Sequence, residues 1–156
     1  MSSFDIALKI TLKNEGGFVN DPHDSGGETK YGISKRSYPE LDIKNLTLDQ
    51  AKEIYRNGYW VPIKGDEIDS QDLANKVFDV AVNIGCFHSI KCLQMALYDL
   101  GNEFNIDGKM GEKTIFYTNN YDATILLHKF REEVEKYYES LNNPRYLKGW
   151  LSRLYS

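Results

Sequence analysis

The chain is poor in the residues that build disulfide frameworks, metal centres and membrane spans. It has two cysteines, Cys86 and Cys92, in 156 residues, too few for a disulfide scaffold. Both fall in apolar, helix-like patterns, where a free cysteine behaves as a buried hydrophobe. The three histidines, His23, His88 and His128, are scattered without ligand spacing, so no metal site is expected. No apolar run reaches the ~18 residues that a membrane span needs. The start, Met1-Ser2-Ser3-Phe4-Asp5-Ile6-Ala7, lacks a basic region and a following apolar stretch, so no secretory leader is expected. Positive charge is also scarce: 19 Lys and Arg stand against 23 Asp and Glu, a net −4. That balance argues against a general nucleic-acid binder. From Ser140 to Ser156 the only formal charges are Arg145, Lys148 and Arg153. This basic end reads either as a face for an anionic polymer or, more simply, as a solvated terminal face.

What is present fits a soluble globular fold: 41 % apolar and 27 % charged residues, enough for one domain or one domain with two lobes sharing a cleft. Apolar spacing predicts helices over 3–14, 48–59, 71–84, 89–100, from 112 onward, and 122–141. Thr47 is placed to cap the second of these, and Gly85 and Gly101 to end the third and fourth. Pro144 is expected to close the longest helix, ahead of a last segment carrying Leu147, Trp150, Leu151 and Leu154. The one β signal comes early, in Thr29-Lys30-Tyr31 after the Gly26-Gly27 turn. The class is therefore mainly α with a small β-hairpin after the first helix, and a lobe boundary is expected near 62–70.

Most of the functional information lies between Glu15 and Ser34. A helix runs into Glu15, and Gly16-Gly17 stop it. A carboxyl at a helix C-terminus faces the negative end of the dipole, which disfavours ionisation, and apolar packing would disfavour it further. A general acid needs that property; a glutamate that merely ends a surface helix has the same position. Asp24 follows on the loop and Thr29 at the start of the hairpin. A helix-borne acid facing a loop-borne carboxylate is the arrangement that glycoside hydrolysis uses, with a threonine hydroxyl able to hold water. Asp24 alone also reads as a turn residue. Asp21, ahead of Pro22, reads as a turn initiator, and His23 and Glu28 as solvated loop residues.

Glu15-Gly16-Gly17-Phe18-Val19-Asn20-Asp21-Pro22, with Asp24, Gly26-Gly27, Thr29 and Tyr31-Gly32-Ile33-Ser34, closely resembles the N-terminal signature of glycoside hydrolase family 108. These are lysozyme-like N-acetylmuramidases of the secretion-activator or phage-endolysin type. The resemblance continues through Val77-Phe78-Asp79-Val80-Ala81-Val82-Asn83-Ile84-Gly85, Leu93-Gln94, Asp107-Gly108-Lys109-Met110-Gly111-Glu112-Lys113-Thr114 and Leu147-Lys148-Gly149-Trp150-Leu151-Ser152-Arg153, which look like the C-terminal predicted peptidoglycan-binding part of such proteins. It implies a lysozyme-like two-lobed fold, with a catalytic lobe over 1–68 and a helical lobe over 69–156 in one compact unit. Glu15 becomes the catalytic acid. Similarity to the catalytic trio of phage-type lysozymes puts Asp24 and Thr29 in the second and third roles.

Three further residues are candidate substrate contacts. Asp79 and Asn83, four apart, share a helix face and suit acetamido sugars or, equally, a polar helix-packing pair. Tyr31 reads as a neighbour of Glu15 or as a core tyrosine. Tyr59 and Trp60 offer a stacking face or core packing, and Trp150 a core anchor.

The expected activity is cleavage of the β-1,4 bond between N-acetylmuramic acid and N-acetylglucosamine in peptidoglycan. The expected protein has no cofactor, binds glycan strands and not nucleic acid, does not insert stably in membranes, and is a monomer. It is made in the cytoplasm, released through a holin-like pore, and acts on the cell wall in the periplasm or outside the cell. The competing reading is a non-catalytic cell-wall binding module with a decayed site; a third keeps the chemistry on chitin or chitosan.

Overall fold

The computed structural model describes residues 1–15, 19–20 and 27–156. The expected Gly16-Gly17 helix stop, Asp21, His23 and Asp24 lie outside the described residues. Helix α1 (Phe4–Glu15) leads to a three-stranded antiparallel sheet of β1 (Val19–Asn20), β2 (Glu28–Lys30) and β3 (Ile33–Ser34), in that order. Then come α2 (Leu48–Tyr55), a π turn (Arg56–Trp60), a 3-10 turn (Gly65–Glu67), and helices α3 (Gln71–Ile84), α4 (Cys86–Asp99), α5 (Glu112–Asn120), α6 (Ala123–Ser140) and α7 (Pro144–Leu154). The protein is mainly α, as its apolar spacing predicts.

Helix α3 is the shared element. It packs against α1 and the π turn on one side and against α4 and α6 on the other. Its sequence explains this: Leu73, Ala74, Val77, Phe78, Val80 and Ala81 are all buried, too broad an apolar surface for a helix that faces one neighbour. On the first side, Phe78 meets Phe4 and Trp60 with ring centroids 5.8 and 5.6 Å apart. Trp60 is 1 % exposed, so of its two readings core packing is the one that holds. Its indole nitrogen donates to Asp66 Oδ1 at 2.8 Å, and its ring lies where a Cβ at Gly65 would sit.

Two boundaries differ from expectation. Helix α4 begins at Cys86, directly after Gly85, whose φ of +94° turns the chain between two helices. Pro144 opens α7 rather than closing the preceding region. At the first helical position its missing N–H leaves no donor unsatisfied, and its fixed φ suits the helix. Thr47 caps α2 as expected, through reciprocal bonds with Gln50.

Candidate active site

Glu15 is the last residue of α1 and is half-buried. Its Oε1 accepts from Nη2 of Arg153, on the last turn of α7, at 2.9 Å. Arg153 in turn grips Asp79 with two parallel bonds, Nε to Oδ2 and Nη2 to Oδ1, each 3.0 Å. Such a fork on a carboxylate combines charge with fixed geometry. Asp79 Oδ1 also accepts from Thr11 Oγ1 at 2.9 Å and from Asn14 Nδ2 at 3.2 Å. Thr11, Asn14 and Glu15 are spaced i, i+3, i+4 and therefore share one stripe of α1. That stripe faces α3 and α7 together.

Burial disfavours the Arg153 charge, but the hydrogen bonds and charges of Asp79 and Glu15 outweigh it and hold the guanidinium above its usual pKa. Arg153 is thus a permanent cation here. Its partner Asp79 neutralises it, so Glu15 meets a guanidinium whose charge is already compensated. Two further cations, the buried Lys76 and the half-buried Arg131, fix the end of α7. Lys76 Nζ donates to the Arg153 carbonyl at 3.0 Å, and Arg131 Nε to the Leu154 carbonyl at 3.1 Å. They satisfy helix-end carbonyls and complement the negative end of the dipole.

Glu15 opens on a cleft of about 230 Å³. The turn and strand residues Gly32 and Ser34, the tyrosines Tyr38, Tyr55 and Tyr59, and Asn83 of α3 are among its walls. Burial raises the pKa of Tyr55, with the Glu15 charge adding to it. Burial likewise raises Tyr59, followed by the influence of Tyr38. Both stay neutral phenols at ordinary pH, and the Tyr55 hydroxyl donates its proton to the Tyr31 carbonyl, which leaves the hydroxyl oxygen free to accept.

The β2–β3 connection brings the sheet against the acid. Tyr31 and Gly32 both have positive φ, +53° and +77°, the signature of a two-residue hairpin turn of type I′. The Tyr55 hydroxyl donates to the Tyr31 carbonyl, which pins the turn to α2. A Cβ at Gly32 would lie 2.8 Å from Glu15 Cγ and 2.9 Å from Glu15 Cβ. Only glycine allows this approach. Gly32→Ala is expected to cost about 1–2 kcal/mol from the left-handed backbone alone. By displacing Glu15 it should also lower any Glu15-dependent activity by about 10²-fold. Thermal melting and reducing-end assays on one preparation check both.

The other expected site residues separate into groups. Thr29 pairs with Ser34 across the β2–β3 ladder, so its side chain lies on the sheet face that carries Ser34. Asn83 lines the cleft and donates from Nδ2 to Tyr138 Oη at 2.8 Å. Tyr31 is half-buried and packs on the core; its neighbour Gly32 lies against Glu15. Asp79 does not reach the cleft. It is 2 % exposed and its oxygens are taken by Arg153, Thr11 and Asn14, so the expected sugar contact is corrected to an anchoring role. Asp24 lies outside the described residues. Burial pushes the Cys92 thiol up to about 12 and raises Cys86 as well, so neither is a ready nucleophile.

Arg153, Tyr38 and Tyr55 were not singled out as site residues by their sequence; Tyr59 was, as a stacking face or core residue, and it lines the cleft. For Arg153 one signal exists: a cation immediately before Leu154 of the apolar stripe Leu147-Trp150-Leu151-Leu154.

Comparison with known proteins gives a consistent set. Residues 8–85 match the family model described as glycosyl hydrolase 108, and residues 88–155 the one described as Predicted Peptidoglycan domain. Twelve solved chains match significantly. One of them, the structure of Brucella abortus SagA, superposes with a TM-score of 0.82 at 26 % identity, covering 97 % of this chain and 88 % of that one. Among curated proteins none matches.

Proposed function

The chain belongs to the glycosyl hydrolase 108 family, and on that premise we propose that it cleaves the glycan strand of peptidoglycan, at the β-1,4 bond from N-acetylmuramic acid to N-acetylglucosamine. The observation that carries the proposal is the Glu15 carboxyl, half-buried at a cleft and held through Arg153 by a buried aspartate. In this reading Glu15 protonates the glycosidic oxygen as the bond breaks. Arg153 holds Oε1, so Oε2 carries the proton. Asp79 matters here because it compensates Arg153; an uncompensated guanidinium at that distance would hold Glu15 as a fixed ion pair.

Asp24 is assigned the second carboxylate, stabilising the oxocarbenium-like transition state or orienting water. Thr29 positions that water from the sheet face it shares with Ser34. Asn83, Tyr55 and Tyr59 offer hydrogen bonds to hydroxyl and acetamido groups, and Tyr31 shapes the turn beneath them. The C-terminal half, matching a Predicted Peptidoglycan domain, supports the same polymer as substrate and a site of action on the cell wall. The division into lobes over 1–68 and 69–156, the monomeric state and release through a holin-like pore are part of the same proposal.

Purified sacculi incubated with the protein should release new reducing ends. Binding to sacculi without new reducing ends would favour the non-catalytic module instead. In the same assay Asp24→Asn should lose most of the activity, about 10²-fold or more, while Asp21→Asn should keep it. The reverse result would transfer the second role to Asp21.

A further inference from the structure

A separate cavity of about 270 Å³ lies in the groove between α4 and α6. Helix α4 supplies His88, Lys91, Cys92 and Met95, and α6 supplies Glu133, Lys136 and Tyr137. The first set is spaced i, i+3, i+4, i+7 and the second i, i+3, i+4, so each is one stripe of its helix. The cavity shares no lining residue with the acid cleft, yet the two are linked through the fold. Asn83 of the cleft wall donates to Tyr138 Oη, the sequence neighbour of Tyr137. The Gly85 turn leads from α3 directly to His88 in the first turn of α4. The His88 and Tyr137 rings, with centroids 4.7 Å apart, close this end of the groove.

Charge is divided along the groove. Lys91 and Lys136, both exposed, stand at the end marked by His88 and Tyr137. Lys91 makes no ion pair among the described residues; its Nζ lies 5.9 Å from the centre of the Phe87 ring. One turn back along α6, the Glu133 side chain is only 1 % exposed. Its Oε1 accepts from Lys136 Nζ at 3.3 Å, and its Oε2 meets no N–H donor among the described residues. Asp99, the next member of the α4 stripe after Met95, adds a second carboxyl. Burial first, and then Asp99, raise the Glu133 pKa against the pull of Lys136. Lys129 does not relieve this pair: it reaches Asp99 at 3.9 Å and Glu132 more closely, at 3.3 Å. A buried carboxylate with an unfilled acceptor favours a further cationic donor. Between the two ends the walls are the buried Cys92 and the adaptable thioether of Met95.

We propose that this groove binds a zwitterionic amino-acid end carried on a peptide, its ammonium at Glu133 and its carboxylate at Lys91 and Lys136. The inference rests on the reading that peptidoglycan is the polymer, because that polymer carries short peptides on its muramic acid units. In one class of these peptides a diamino acid has a side chain that ends in both charges. The two charges sit on one carbon, and Lys136, bonded to Glu133, brings the two binding groups equally close together. The methylenes behind them lie over Cys92 and Met95. Sites that enclose whole small ligands run from roughly 300 to 1,000 Å³; at 270 Å³ the groove takes one end of a ligand and not all of it. A bare amine leaves Lys91 unmatched, a bare carboxylate meets Glu133, and a neutral sugar answers neither charge. The groove thus reads the peptide while the acid cleft reads the strand.

The test uses the full wild-type chain and two stem tripeptides, one ending in meso-diaminopimelate and one in lysine. Amide chemical shifts are followed on titration with each. The diaminopimelate peptide is expected to move amides within 88–99 and 129–137. The lysine peptide, which lacks the side-chain carboxylate, should bind about tenfold more weakly, the effect of losing a hydrogen bond to a charged group. Glu133→Gln should weaken the diaminopimelate peptide about tenfold as well. It keeps the side-chain size, and its partner Lys136 is 63 % exposed, so no buried charge is orphaned. Lys91→Glu, a change at an exposed residue, should have at least as large an effect and does not depend on the buried carboxylate. Equal binding of the two peptides, no shifts within 88–99 and 129–137, or indifference to either substitution would each overturn the proposal. Peptide binding in the groove of a protein that releases no reducing ends from sacculi would leave the site standing and sink the catalytic reading. Reducing-end release with no peptide shifts in the groove would do the opposite.

Discussion

Glu15→Gln is expected to lower reducing-end release from sacculi by about 10²- to 10⁴-fold, the contribution of a positioned general acid, while leaving the fold intact. The glutamine keeps the size of the side chain and an oxygen for Arg153 Nη2, but it has no proton to give. Arg153 retains its two bonds to Asp79, so no buried charge is orphaned. The carboxylate is only 21 % exposed, but the glutamine still accepts from Arg153, whose charge Asp79 continues to compensate, so the loss of stability should be smaller than on truncating Asp79. Activity and stability therefore separate in this variant. Binding of sacculi should persist, since the walls of the cleft are unchanged. A variant that lysed sacculi at the wild-type rate would remove Glu15 from the chemistry.

Asp79→Ala should show the opposite pattern, with stability lost first. Arg153 is 17 % exposed and Asp79 3 % at the side chain. Removing one member of a buried ion pair leaves the other charged and desolvated, at a cost of about 3–5 kcal/mol. Thr11 Oγ1 and Asn14 Nδ2 lose their acceptor as well. Set against a typical total stability of about 5–15 kcal/mol, the loss should lower the melting temperature by about 10 °C. Folded Asp79→Ala protein, assayed well below its melting temperature, should also be slower, because Arg153 is left with Glu15 as its one carboxylate. Asp79→Asn separates the two effects: the amide keeps an acceptor oxygen for Arg153 and fills the same space, so more stability survives, yet it does not compensate the charge. If Asp79→Asn matched the wild type in both melting and activity, charge compensation would have no part in the site.

The contrast between these two aspartate and glutamate positions shows what a linear sequence can carry. As the end of α1 and a wall of the cleft, Glu15 was legible because what marks it as a candidate is local: a helix that runs into it, glycines after it, Asp24 and Thr29 within reach along the chain. Helix α3 was legible over its whole length for the same reason, since Leu73, Val77, Phe78 and Ala81 repeat at helical spacing and Gly85 ends it. Asp79 was legible as a polar residue on that helix but not in its direction. Its spacing from Asn83 places both on one face, yet Asn83 reaches the cleft and Asp79 faces α1 and α7. That difference is decided by the arrival of Arg153, which lies 138 positions from Glu15. Nothing local to either residue encodes that meeting. It depends on α6 and α7 packing together and on Lys76 and Arg131 holding the last carbonyls of α7. The basic end of the chain was visible as composition; its use as an internal brace for the acid was not. Pro144 is a similar case, because proline both stops and starts helices, and only the packing of Leu154 against the core decides which role it takes.

The central claim is that this chain hydrolyses glycan on the muramic acid side with Glu15 as the acid. The most direct measurement is the chemical identity of the new ends. Sacculi digested to completion with the wild-type protein are reduced with borohydride, hydrolysed, and analysed for amino-sugar alcohols by mass spectrometry. The account predicts muramitol as the dominant new terminus, absent when Glu15→Gln protein replaces the wild type. Glucosaminitol as the new terminus, or no new alcohol with either protein, would contradict it.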